Sequence, residues 1–189
     1  VYCEILPCTT TLAKIRELNP GGIILSGGPA SVYDPDAPAA ARGILTLGLP
    51  ILGICYGMQW LAREEGGDVE AGRVREYGPA RISVTKGEGI FSGLGRSELS
   101  VWMSHGDHVT KLPPGYEAIA LSHNRLHAGI RNPQKKIYGL QFHPEVAHTE
   151  HGREILQNFL FKVSHLEPAW TMESFIETKV GEIRERVGG

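Results

Sequence analysis

A cysteine stands between two glycines in Gly53-Ile54-Cys55-Tyr56-Gly57, where an apolar run gives way to a helix-like one. This is the G-x-nucleophile-x-G form of a nucleophile elbow. The tight strand-to-helix turn leaves no room for side chains at the flanks and holds the nucleophile above the sheet edge in strained backbone. A helix N-terminus beneath it favours an anion there. A packing cysteine buried between strand and helix has the same local pattern, so the motif alone leaves both readings open.

A second element is the stretch Gln141-Phe142-His143-Pro144-Glu145-Val146, which follows the apolar run Ile137–Leu140. Proline favours extended chain, in which residues two apart point the same way. Glu145 is then expected to hydrogen-bond one imidazole nitrogen of His143 while the other faces a nucleophile. That is the base-plus-orienter half of a catalytic triad. The third element is Ser26-Gly27-Gly28-Pro29-Ala30-Ser31, directly after an apolar run. Glycine lets a backbone approach a ligand, and the N–H of Gly28 is placed to donate to an oxyanion. The N–H of Tyr56, next after the cysteine, is the natural second donor. A plain glycine turn is the alternative for this stretch.

The elements that must position these residues follow from periodicity. Val1–Leu6, Gly22–Ser26 and Pro50–Ile54 read as strands, the last two as near-continuous apolar runs of the kind found in parallel strands covered on both faces. Thr10–Leu18 and Pro38–Leu47 read as helices, and a helix from Tyr56 to about Glu65 ends at Gly66–Gly67. After it the rhythm changes: Arg81–Thr85, Leu99–Met103, Glu117–Leu121, Ala128–Arg131 and Ile137–Phe142 read as strands with little helix between them. Glu150–Val163 is a helix with Ile155, Leu156, Phe159, Leu160 and Val163 on one face. The fold class is α/β, with a parallel core that later gains antiparallel strands. In the C-terminal stretch Thr171 caps a helix whose stripe of Ile176, Val180, Ile183 and Val187 either docks on its own domain or leads toward another.

The bulk composition narrows the function. The chain has 189 residues, 41% hydrophobic, with a formal net charge of −2, which suits one domain and offers no electrostatic case for nucleic acid or an anionic membrane. No apolar stretch approaches the roughly 18 residues of a membrane span, and no signal-peptide pattern stands in the sequence. Three cysteines, Cys3, Cys8 and Cys55, are too few for a disulfide framework, so the expected setting is reducing and cytoplasmic. None of the eight histidines has zinc-ligand spacing; no metal is expected. His123, His127, His148 and His151 read as surface or turn residues.

Four motifs, "LSGGPASVYDPDAP", "GICYGMQ", "VWMSHGDHV" and "GLQFHPEVAHTEHG", together resemble the class I (triad) glutamine amidotransferase domain, and within that family the GMP synthase (glutamine-hydrolysing) branch. The resemblance implies a flavodoxin-like three-layer αβα sandwich, mostly parallel with added antiparallel strands. It implies Cys55 as nucleophile, His143 as general base and acid, Glu145 as its orienter, and Gly28 and Tyr56 as the oxyanion hole. It puts Gln59 and the segment Ser104-His105-Gly106-Asp107 on the substrate L-glutamine, the segment through its backbone; for the His105 ring a satisfied turn histidine is favoured. It also implies that residues 1–166 form the amidotransferase domain, lacking the family's opening strand and helix, and that 167–189 lead toward a synthetase domain not in this chain. That partner would bind ATP, Mg2+ and XMP, with no cofactor in the present domain; a homodimer through the full enzyme is compatible with the sequence. The alternatives are an amidotransferase for another acceptor such as chorismate or UTP, a γ-glutamyl peptidase, and a binding module of the same fold without the reaction.

Overall fold

The computed structural model describes residues 1–168 together with 180, 183, 184 and 187, without the side chains of residues 73–75. Seven strands form one sheet: β1 Ile23–Leu25, β2 Ile51–Ile54, β3 Asp68–Val84, β4 Glu98–Lys111, β5 Glu117–Ser122, β6 His127–Asn132 and β7 Ile137–Leu140. Their order is β1-β2-β7-β6-β5-β3-β4. β1, β2 and β7 run parallel, and every other pairing is antiparallel. The parallel part is short, and its strands β2 and β7 end just before Cys55 and His143.

The helices cover both faces of β2 and β7, whose side chains alternate between them, whereas β1, expected to be covered on both faces, lies at the sheet edge with Ile24 43% exposed. Ile51 and Ile137 point toward α2 (Tyr56–Glu64), where they meet Met58 and Leu61; α1 (Leu12–Leu18) adds Ile15 to the same cluster. Leu52, Ile54 and Leu140 point the other way, against Ile155, Phe159 and Val163. Those residues belong to α3 (Gly152–Gln157) and to a π-helical turn over Asn158–Val163 that continues it. The continuous helix expected over 150–163 therefore widens midway. At the widening, buried Asn158 turns its amide to the carbonyls of Ile90 and Ser92 at 2.9 and 2.8 Å, tying the turn to a neighbouring loop.

Two expected elements are absent. Val1–Leu6 forms no strand; Ile5 is 97% exposed, and no described strand pairs with the segment. Apolar alternation without a ladder partner leaves the amides to water, and a lone strand does not persist. Pro38–Leu47 holds only a 3-10 turn at Ile44–Thr46, entered from Gly43 at φ 90, a left-handed conformation that interrupts a helix. Conversely, β3 and β4 are much longer than their apolar cores. Residues 68–80 lack a clean period of two and join the sheet because β4 pairs with them, with a register shift between Ala71 and Glu76. Of the C-terminal stripe, Val180, Ile183 and Val187 are exposed, while Trp170, Thr171 and Ile176 lie outside the described residues.

α2 packs unusually close to the sheet. A Cβ added at Gly53 would lie 2.6 Å from the carbonyl carbon and oxygen of Gly57, and one at Gly57 would lie 2.2 Å from the carbonyl oxygen of Leu25. Both obstacles are backbone, so neither can step aside. Gly53→Ala is therefore expected to lose about 1–3 kcal/mol of stability in urea unfolding. Gly87→Ala, whose added Cβ meets nothing within 4 Å, should stay within about 0.5 kcal/mol of wild type.

Candidate active site

Cys55 sits between β2 and α2 with φ 51 and ψ −106, a positive φ on a non-glycine residue. Its N–H donates to the carbonyl of Leu140 at 2.7 Å, continuing the β2–β7 ladder one residue past the strand, and its carbonyl accepts from the N–H of Gln59. The elbow expected from the glycine spacing is present. Tyr56 opens α2, so its N–H has no intrahelical acceptor. Gly27 lies over the site: a Cβ there would come 3.0 Å from His143 Cε1 and 3.5 Å from Cys55 Cβ. Gly28 faces Tyr56 instead, with the Tyr56 ring and Cβ 3.9 Å from its would-be Cβ. The glycine pair was legible in the sequence; which of the two must stay bare beside His143 and Cys55 was not.

β7 leads directly to His143. Its Nδ1 lies 2.7 Å from Glu145 Oε1. The expected pair forms, but by a different route: from Pro144 onward the chain bends into turns rather than staying extended. The backbone of His143 is clamped from β4. Its N–H donates to the Trp102 carbonyl at 3.0 Å, and its carbonyl accepts from the Thr149 hydroxyl at 2.6 Å, which in turn accepts from the Trp102 N–H.

Electrostatics join the three residues. Hydrogen bonding to Cys55, then to Glu145, raises the pKa of His143 from the ordinary 6.5 to about 10 against an opposing effect of burial. Burial pushes Glu145 up, yet its hydrogen bonds, led by that from His143, hold its carboxyl below the usual range. The sulfur and the imidazole thus come from different ends of the sequence and meet, which is the arrangement a thiol nucleophile and its base require.

The segment Ser104–Asp107 on β4 arches over the sulfur, with the thiol 3.6 Å from the Ser104 carbonyl. Asp107 is its anchor: the carboxylate accepts from the Ser31 hydroxyl at 2.5 Å and the carbonyl from Gln59 Nε2 at 2.8 Å. His105 is 4% exposed and satisfied, but as a residue of strand β4 rather than of the turn expected, its Nδ1 2.9 Å from the Asp107 carbonyl and its Nε2 3.1 Å from Glu76 Oε2. Hydrogen bonding from His105 lowers the pKa of buried Glu76, with Asn124 and Ser122 helping to outweigh burial. Glu76, Ser122 and Asn124 went unread in the sequence because no local pattern links β3 to the β5–β6 turn. Gln141, within the quoted QFHPEV motif but given no role, lies with its Nε2 3.7 Å from Cys55 Sγ.

The other histidines separate. His148 packs its ring against Trp102 at 4.9 Å, and His151 precedes α3 in a left-handed conformation. His127 departs from a surface reading: it lies in β6, partly buried, its Nδ1 unpartnered, and burial followed by the nearby His108 lowers its pKa. Among the described residues no group of three or more His, Cys, Asp or Glu side chains is placed to hold a metal ion. Cys3 and Cys8 are free and exposed, and among the described residues no helix is long and apolar enough to cross a membrane.

The fold recurs in solved structures. One from Thermoplasma acidophilum, ascribed to a GMP synthase, superposes with a TM-score of 0.68 at 34% identity, covering 87% of this chain and 79% of that one. A Thermotoga maritima glutamine amidotransferase shares the fold, with a TM-score of 0.55 at 22% identity over 87% of this chain and 72% of that one. Among curated proteins, the GMP synthase [glutamine-hydrolyzing] of Thermomicrobium roseum is 53% identical over 188 residues, 100% of this chain and 35% of that protein. That of Brachyspira hyodysenteriae is 51% identical over 188 residues, 100% of this chain and 36% of its own length. The chain thus spans about a third of these curated relatives. The model of the family "Glutamine amidotransferase class-I" matches residues 1–163, and the chain belongs to that family.

Proposed function

We propose that this chain is the glutamine-hydrolysing domain of a GMP synthase, releasing ammonia from L-glutamine with Cys55, His143 and Glu145. The observation that carries the reading is the strained Cys55 at the strand-to-helix elbow within hydrogen-bonding reach of an imidazole that Glu145 backs.

In this mechanism the Cys55 thiolate attacks the side-chain carboxamide carbon of glutamine. The carbonyl becomes a tetrahedral oxyanion held by the N–H groups of Gly28 and Tyr56. His143, as imidazolium, gives its proton to the leaving nitrogen, so the C–N bond breaks to ammonia and a γ-glutamyl thioester. His143, now neutral, takes a proton from water; the hydroxide attacks the thioester and glutamate leaves with the thiolate restored. The backbone of Ser104, His105, Gly106 and Asp107, with Gln59 behind it, forms the wall that takes the amino-acid end of the substrate.

The ammonia is proposed to pass to a synthetase region that binds ATP, Mg2+ and XMP and forms GMP. The likeness to GMP synthases, of which this chain matches about a third, supports a partner region of that kind. Residues 1–166 serve as the hydrolytic domain and 167–189 as the connector, a reading favoured by the exposure of Val180, Ile183 and Val187. The free, exposed Cys3 and Cys8 favour a reducing, cytosolic setting.

Cys55→Ala should lower glutaminase activity by roughly a thousandfold or more. It should also abolish labelling by a glutamine-like diazo ketone read by mass. Equal hydrolysis by both proteins sinks the triad. Ammonia transfer to XMP, measured with a synthetase region supplied, decides the acceptor; transfer to another acceptor in its place overturns that part alone.

The raised pKa of His143 gives a pH test. Its protonated form persists from the ordinary 6.5 up to about 10, so the leaving-group acid is available across that window and is lost as pH rises through about 10. The stability this pairing contributes follows the same sign: present in full below 6.5 and lost through about 10. Glu145→Gln removes one of the effects holding the pKa up. The imidazole titration followed by NMR, and the alkaline limb of kcat with it, should both move to lower pH; an unmoved titration contradicts the orienting role.

A further inference from the structure

A second hydrogen-bond chain reaches Cys55 from the side of β4. Gln59 Nε2 donates to the Asp107 carbonyl at 2.8 Å and lies 3.3 Å from Gln141 Oε1. Gln141 Nε2 then lies 3.7 Å from Cys55 Sγ. Gln59 is 3% and Gln141 1% exposed, so bulk water completes neither amide.

The direction of donation along this chain is forced. A main-chain carbonyl only accepts, so Gln59 must turn its NH2 group toward Asp107. The second hydrogen of that group meets Gln141, which must answer with its carbonyl. The NH2 of Gln141 is then left facing the sulfur. Flipping Gln59 would set its carbonyl against that of Asp107, and flipping Gln141 would set one NH2 group against another. Asp107, the origin of the direction, is held by Ser31 at 2.5 Å and by His105 at 2.9 Å, and His105 by Glu76 at 3.1 Å.

We propose that Gln141 is a further catalytic residue, donating a side-chain N–H to the Cys55 sulfur and stabilising it as thiolate, with Gln59 the positioning residue that fixes the donor's direction. The proposal rests on the glutaminase reading above. An N–H···S contact is weak toward a neutral thiol and stronger toward a thiolate, because the bond becomes charge-assisted. The Ser104 carbonyl, 3.6 Å from the sulfur on β4, favours the opposite state, since it accepts from S–H and repels an anion. Gln141 offsets it. Both N–H groups of Gln59 are engaged by the protein, which leaves only its carbonyl for a substrate.

Among the described side chains, the titratable groups around the sulfur are His143, backed by Glu145, from the loop after β7, His105 and Asp107 on β4, backed by Glu76 on β3, and Tyr56 on α2. A neutral replacement at position 141 changes the charge of none of them. The test is the rate of Cys55 alkylation by iodoacetamide against pH, read by mass, with Cys3 and Cys8 as internal references, beside kcat and KM for glutamine. Gln141→Leu should move the midpoint of the alkylation profile up by about one pH unit and lower kcat about tenfold, the scale of one hydrogen bond to a charged group, with KM changed less than about twofold. Gln59→Leu, which removes no atom in contact with the sulfur, should move the midpoint the same way by less.

An unchanged midpoint in Gln141→Leu overturns the proposal, and an unchanged one in Gln59→Leu overturns the positioning half. If Gln141→Leu does not fold, the wild-type side-chain amide of Gln141 gives the answer by NMR. It should titrate together with the thiolate absorbance, and an amide that ignores that ionisation refutes the contact. A wild-type chain without glutaminase activity sinks the functional reading but leaves the alkylation profile diagnostic. An active enzyme with an unmoved profile sinks the role of Gln141 alone.

Discussion

The backbone of Cys55, held at φ 51 and ψ −106, is the constraint around which the rest of the molecule is arranged. A non-glycine residue in such a conformation costs about 1–3 kcal/mol and persists only where its surroundings over-determine it. Here they do. The N–H of Cys55 is fixed by Leu140 and its carbonyl by Gln59. Met58 and Leu61 of α2 are fully buried against the sheet, and Gly53 and Gly57 let that helix come close enough to hold the turn. Relaxing the strain would mean lifting α2 off the core.

β7 ties Cys55 to His143. The same strand supplies the Leu140 carbonyl that fixes Cys55 and, immediately beyond, the chain that carries His143. A shift of β7 against β2 would break the Leu140–Cys55 hydrogen bond as it displaced His143, so one ladder sets the separation of the two residues. The opposite edge of the sheet closes the site. β4 lies farthest from β1 in strand order, yet its residues touch the Cys55 sulfur, clamp the His143 backbone and anchor the loop at Ser31. The sheet therefore curls, and the network of Glu76, His105 and Asp107 braces the curled edge where it faces the Cys55 sulfur.

Legibility in the sequence followed the range of the interactions. The strands β2 and β7 and the helix α2 were readable because their apolar residues are buried on both sides and carry strong local periodicity. The N-terminal strand and the helix over 38–47 failed for one shared reason: a local pattern was present, but no partner strand or uninterrupted backbone supported it. The polar half of β3 failed in the other direction, since it is a strand only through its pairing with β4.

The sequence by itself determined the identities and spacing of the candidate site residues: a cysteine flanked by glycines, a histidine with a carboxylate two residues on, and a glycine pair after an apolar strand. Those are properties of adjacent residues, and short-range sterics and hydrogen-bonding capacity dictate them. Only the tertiary structure decided that Gly27 lies beside His143 and Cys55, that Glu76 stands behind His105, and that Gln141 turns its amide toward Cys55. These depend on how far the sheet curls and on which buried carbonyl fixes each amide, and such cooperative, long-range constraints leave no mark on neighbouring residues in the chain.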